Sequence, residues 1–195
     1  MTNKSSKPLR EAGNEDQAIR LQYERFGVED YYSGFGSKYR NPHEKIIREV
    51  LREAITRWQP DLSSVLDLAC GSGEVTMLLR ELGYHRIDAI DPYTGEAYLA
   101  RAGNMATLLS FEDIASGALT GRHYGLVVCS FAMHLIDESW LPSLLTQLGL
   151  ITDCLMIITP HKRPEIKDDW GWRLKDELII ERVRARLYCL QDRVG

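Results

Sequence analysis

The chain has little of what would place it in several common classes. Its four cysteines, Cys70, Cys129, Cys154 and Cys189, are widely spaced, and none stands in a Cys-x-x-Cys pair. Zinc ribbons and paired-thiol redox centres are excluded on that ground, so no metal is expected and the cysteines read as buried, reduced thiols. There is no excess of basic residues: the formal net charge is -4. A surface wrapped in nucleic acid over most of its area is therefore excluded, although a local basic patch is not. No apolar run approaches the roughly 20 residues that cross a bilayer, so no membrane contact is expected. Residues 1–16 are polar, lack a hydrophobic signal core, and read as a flexible lead. The expectation is a cytoplasmic protein, with an N-terminal arm and helix over 17–60 and one main domain over 61–195. No internal repeat or low-complexity block is present.

Two phosphate-binding signatures are missing as well. The chain around Val65-Leu66-Asp67-Leu68-Ala69-Cys70-Gly71-Ser72-Gly73 has the form of a buried strand running into a glycine turn. Glu74 to Leu82 follows with Val75, Leu78, Leu79 and Leu82 on one helical face. Strand, glycine turn and helix start together make a cofactor-binding device. The dinucleotide fingerprint G-x-G-x-x-G fails, because Thr76 stands at its third glycine. The G-x-x-x-x-G-K-[ST] loop is absent. What remains is D-x-A-x-G-x-G. Asp67 would repel a pyrophosphate, but it suits a ligand carrying an ammonium or sulfonium group. About 20 residues later Asp91-Pro92 closes a second strand, where a carboxylate can accept hydrogen bonds from both ribose hydroxyls of a nucleoside.

The remaining pattern alternates helices and strands. Asn41-Pro42 opens a helix, with Asn as N-cap, and Pro60 ends it. Strands are expected at 64–68, 86–90, 106–111, 125–130 and 154–159, with helices over 95–102 and around 139–148. Beyond Pro160, Val183, Ala185, Leu187 and Cys189 alternate with Arg182, Arg184, Arg186 and Tyr188. Strict period two predicts a strand with one wet face, with 171–174 as its hairpin partner. The fold class is α/β: a doubly wound, mainly parallel sheet with an antiparallel strand near the C-terminus.

In these residues the chain resembles the class I, Rossmann-like S-adenosylmethionine-dependent methyltransferases. Val65 to Gly73 is similar to motif I. The resemblance extends through Ile90-Asp91, Phe111-Glu112-Asp113-Ile114 and the run from Val127 to Leu135, in order over about 63–159. Ala69 departs from the pattern, which usually has glycine there, and the stretch after the fifth expected strand is shorter than usual. The resemblance implies S-adenosyl-L-methionine as cofactor and makes 61–195 the methyltransferase domain. Asp67, Ala69, Gly71 and Gly73 would lie along its methionine part, and Asp91, with Pro92, would hold the ribose. Asp113 would meet the adenine amino group and the Ile114 N–H a ring nitrogen. Ser130 and Phe131 would line the sulfur. From the residues alone, a helix cap is the alternative for Asp113.

The methyl acceptor is less legible. The resemblance makes [DN]-P-P-[YF] the mark of base and glutamine methyltransferases, and Ser130-Phe131-Ala132-Met133 lacks it. A small-molecule acceptor is therefore expected, with an oxygen, nitrogen or sulfur nucleophile. His134 is the candidate base and His161 a second one, while His43, Tyr31 and Tyr32 could reach over from the aromatic arm. Nucleic acid is the less favoured partner. An RNA or protein substrate would use a patch of Lys162, Arg163, Arg182, Arg184 and Arg186. A non-catalytic, cofactor-binding subunit is a third reading.

Overall fold

The computed structural model describes residues 40–191, which lie in one compact unit, Gly36–Gly195. The expected flexible lead, the arm before Arg40, and Tyr31 and Tyr32 lie outside the described residues.

A six-stranded sheet forms the centre: β1 (Val65–Leu68), β2 (Ile87–Ile90), β3 (Leu126–Ser130), β4 (Cys154–Thr159), β5 (Trp172–Ile180) and β6 (Val183–Leu190), in spatial order β2-β1-β3-β4-β6-β5. The first four strands are parallel, and β6 lies antiparallel between β4 and β5. This is the expected α/β class. Parallel neighbours need crossovers, and the crossover helices cover both faces, so β1 is buried at all four positions.

On one face α1 (Glu44–Trp58) and α2 (Glu74–Glu81) pack over Val65, Val128, Met156, Ile158, Ala185 and Leu187. The α1 stripe of Ile47, Val50, Leu51 and Ala54 has no exposed surface. α3 (Gly95–Ala102) packs through Tyr98 against Ala89 of β2 and bonds Thr76 of α2, while the opposite face carries α4 (Phe111–Ala115) and α5 (Leu141–Leu148). Leu66, Leu68, Val127, Leu155 and Ile157 meet Leu141, Leu144, Leu145 and Leu148 there. Trp172 is fully buried against them, its indole N–H donating to the Leu145 carbonyl at 3.0 Å. Among the described residues no helix is long and apolar enough to cross a membrane.

Several local expectations differ from the structure. The N-cap of α1 is His43, not Asn41; the Asn41 side chain instead accepts the His43 N–H at 2.9 Å in an Asx turn. The strand expected at 106–111 shrinks to one parallel bridge between Ile90 and Thr107. Ser110 ends it by capping α4 in a capping box, and Met105 and Leu108 face solvent. The hairpin partner of the arginine strand is longer than 171–174, running from Trp172 to Ile180.

The arginine face is also less wet than its alternation predicts. Tyr188 is buried under the α5 side, and the Arg186 side chain is only 11% exposed. Arg186 donates to Glu177 at 2.8 Å and to the Lys162 carbonyl at 2.8 Å. Arg184 pairs with Glu177, and Arg163 pairs with Glu138 across two loops. These acids answer much of the charge expected to form a basic patch. Finally, Cys70 and Cys129 are buried as expected, but Cys154 and Cys189 are only partly so.

Candidate functional site

The carboxyl ends of β1, β2 and β3 meet where the sheet order reverses, the place where open α/β sheets hold their ligands. The chain leaves β1 through Ala69 with φ at 58° and turns at Gly71 and Gly73, with φ at 56° and 90°. Gly73 is required twice. Its φ is left-handed, and a Cβ there would stand 3.2 Å from the Tyr98 ring. The Cys70 N–H continues the ladder by donating to the Ile90 carbonyl at 2.9 Å, which holds the turn against the end of β2.

Asp91 sits in that crook, 7% exposed. One carboxylate oxygen accepts the Gly71 N–H at 3.1 Å, and the other accepts those of Tyr93 and Thr94, both at 2.9 Å. Thr94 adds a hydroxyl bond to the Gly71 carbonyl at 2.7 Å. Asp91 thus orders the glycine turn. Pro92 follows it, half-buried.

Asp67 is completely buried. Its Oδ2 accepts the Thr76 hydroxyl at 2.7 Å and the Thr76 N–H at 3.1 Å, while its Oδ1 is buried with no partner. Burial pushes its carboxyl up to about 7; the charges of Glu74 and Asp91 add to the rise, and the Thr76 bonds oppose it. Thr76, the residue that broke the dinucleotide fingerprint, is therefore the anchor for Asp67. Tyr98 extends the chain by bonding the Thr76 hydroxyl at 3.2 Å. Glu74 is buried too, bonded to Ser72 and facing Arg101, which also pairs with Glu44 at the start of α1. Three buried carboxylates thus surround the turn, a setting that favours a cationic ligand.

The sequence missed Thr94, Tyr98 and Arg101. Only Thr76 left a signal, as the missing third glycine. Asp113 and Ile114 differ from the expectation. Because α4 begins at Phe111, both lie inside the helix and not at a strand end. One Asp113 carboxylate oxygen accepts the Ser110 N–H at 2.8 Å, completing the capping box, and the Ile114 N–H donates to the Ser110 carbonyl at 3.2 Å. Asp113 thus makes the capping bond of α4.

At the carboxyl end of β3, Ser130 closes the strand and Phe131 follows in the left-handed region, with φ at 55°. The Phe131 N–H donates to the Ile158 carbonyl at 2.7 Å, and its ring stacks on His43 at a centroid distance of 5.0 Å. The two candidate bases are brought together: the His134 and His161 rings lie 4.3 Å apart. His134 is half-buried with Nδ1 unpartnered, and burial first, then the His161 charge, lowers it to about 4. It is neutral at pH 7. His161 is exposed, so the pair runs from the interior to the surface.

An uncharacterized protein of Schizosaccharomyces pombe is 33% identical over 242 aligned residues, spanning 94% of this chain and 96% of that one. A structure of magnesium protoporphyrin IX methyltransferase from Synechocystis PCC 6803, with bound SAM, superposes with a TM-score of 0.56 at 16% identity, over 94% of this chain and all of that one. A methyltransferase from Clostridium acetobutylicum superposes at 0.55 over 91% of this chain and 98% of that one, with 13% identity. The chain belongs to the family of the fission-yeast protein and has the class I methyltransferase fold. A second relative of this methyltransferase-fold chain, the dTDP-3-amino-3,6-dideoxy-alpha-D-glucopyranose N,N-dimethyltransferase of Streptomyces fradiae, is 26% identical over 148 residues, which is 70% of this chain and 56% of that enzyme. No family model matches the chain.

Proposed function

We propose that this chain transfers the methyl group of S-adenosyl-L-methionine to a nucleophile on a small molecule. The observation that carries this reading is Asp67, fully buried with one oxygen unpartnered, beside a turn that Asp91 holds in shape. The residues fit the group: a buried acid without a cation suits the cofactor's positive end, and Asp91 stands at the ribose position. Ala69, Gly71 and Gly73 offer bare main chain beside the methionine part, and Ser130 and Phe131 line the methyl side. When bound, S-adenosylmethionine supplies an electrophilic sulfonium methyl. Little covalent work is then left to the protein, which aligns the reactants and excludes water.

His134, neutral at pH 7, is the group we assign to take a hydrogen bond or proton from the acceptor hydroxyl or amine, and burial makes it a weak base in the free protein. The exposed His161 ring lies against it, 4.3 Å away between centroids, on the solvent side. The amino-sugar specificity in the Streptomyces enzyme's name supports a small-molecule acceptor. The engagement of Arg163, Arg184 and Arg186 by acids weakens the case for an RNA substrate.

Asp91→Ala is expected to weaken cofactor binding tenfold or more, from a charge-assisted bond of about 1.5–3 kcal/mol. Titration calorimetry with S-adenosylmethionine checks it, and equal affinity in the variant would remove the assignment. Labelled-methyl transfer against fractionated metabolites, RNA and protein then separates the acceptor classes. Tight cofactor binding with no methylated product in any fraction would favour a non-catalytic subunit.

A further inference from the structure

Cys154 and Cys189 are expected to be buried, reduced thiols, and the strand register sets them directly opposite each other on β4 and β6. The kind of pairing follows from the ladder. The Leu190 N–H donates to the Asp153 carbonyl at 3.0 Å, so residues 153 and 190 form a hydrogen-bonded pair. In an antiparallel ladder the two pair types alternate, which makes 154 and 189 a non-hydrogen-bonded pair. Such pairs bring the Cα atoms to about 4.5 Å and turn both side chains to the same face. A disulfide needs Cα atoms about 4.4–6.8 Å apart, so this pair lies within its reach without backbone movement. Both side chains belong to the α1 face, in line with Met156 and Leu187, and both are partly accessible.

From this geometry we infer that Cys154 and Cys189 are a thiol oxidation site, closed to a cross-strand disulfide by low-molecular-weight disulfides such as oxidised glutathione. In the first step one thiolate sulfur attacks the small disulfide, forming a mixed disulfide and expelling one thiol. In the second, the facing thiolate attacks the protein sulfur of that mixed disulfide, forming the Cys154–Cys189 bond and expelling a second thiol. The two protein thiols lose two protons and two electrons, and one small disulfide becomes two small thiols. Burial, the facing Cys189 and the acids Asp153 and Asp61 raise the Cys154 thiol to about 11, against the opposing charge of Lys175. The first attack is therefore slow at neutral pH and faster in alkali. Cys70 and Cys129 are buried in the core, 3% and 0% exposed, and stand outside this chemistry.

The test exposes the folded full chain to oxidised glutathione at mildly alkaline pH, alkylates the remaining thiols, and maps peptides without reduction. The expected result is one internal crosslink joining the Cys154 and Cys189 peptides, with Cys70 and Cys129 alkylated only after denaturation. C154S should carry glutathione on Cys189, and C189S should carry it on Cys154. Persistent glutathione on both cysteines of the wild-type chain, a crosslink to Cys70 or Cys129, a crosslink formed only in denaturant, or no reaction at all would overturn the inference.

Discussion

Ala69 carries a methyl group in a backbone region that costs L-residues roughly 1–2 kcal/mol relative to glycine. A glycine there would relieve that strain, while gaining freedom in the unfolded chain that offsets part of the benefit. Ala69→Gly is therefore expected to stabilise the fold by about 0.5–1 kcal/mol, read as a shift in the urea midpoint. Phe131 adopts the same left-handed conformation at the end of the neighbouring strand. Strained backbone gathers at ligand sites when surrounding bonds hold it. Here the ladder bonds Cys70 N–H to Ile90 and Phe131 N–H to Ile158 do so. At this scale the sequence was informative about acids and glycines, since Asp67, Asp91, Gly71 and Gly73 all stand around one turn. It was silent about the residues that position them. Tyr98 comes from a separate helix, and no spacing rule links residue 98 to residue 73.

Among the elements, the β5–β6 hairpin turns through Glu181 and Arg182, with φ at 46° and 75°. Two residues with positive φ between paired strands is the signature of a type I′ turn, for which Asn-Gly is the preferred pair. The double substitution Glu181→Asn, Arg182→Gly is expected to stabilise the protein by about 1 kcal/mol, checked by thermal unfolding. An Asn-Gly dipeptide would have announced the hairpin; Glu-Arg does not, and so β5 was legible only at its first residues. Strands with two apolar faces were read well, because burial on both sides leaves continuous runs such as Val127 to Cys129. The stretch 106–111 misled for the same reason. Its apolar residues resemble a buried strand, but among the described residues no partner strand pairs beyond Thr107, and Ser110 begins a helix instead.

For the molecule as a whole, a buried and a half-buried group pull its pH dependence in opposite directions. Asp67 is raised from its ordinary 3.8 to about 7, so the stability it contributes is full below pH 4 and is lost as pH rises through 7. His134 is lowered from 6.5 to about 4, so the stability it contributes is full above pH 6.5 and is lost as pH falls toward 4. The slope from one such group reaches at most about 1.4 kcal/mol per pH unit. His134→Gln should leave a protein that weakens with rising pH between about 4 and 7, and Asp67→Asn one that weakens with falling pH between about 6.5 and 4. Denaturant titrations at stepped pH check both, and parallel profiles in the two variants would contradict the assignment. The sheet order follows the fold class read from the alternating elements. The meeting of His134 with His161 did not follow, because it depends on how the segments after β3 and β4 lie against each other.

The position of β6 has a consequence for synthesis. Both of its neighbours, β4 and β5, leave the ribosome before it does, and neither pairs with the other in the finished sheet. Until residues 183–190 emerge, the outer edge of β4 has no hydrogen-bonding partner and the apolar row Met156 and Ile158 lacks its cover from Ala185 and Leu187. An unpaired apolar edge is an aggregation template. The nascent chain therefore carries this exposed edge until β6 emerges, by which time the glycine turn already has β1, β2 and β3 around it.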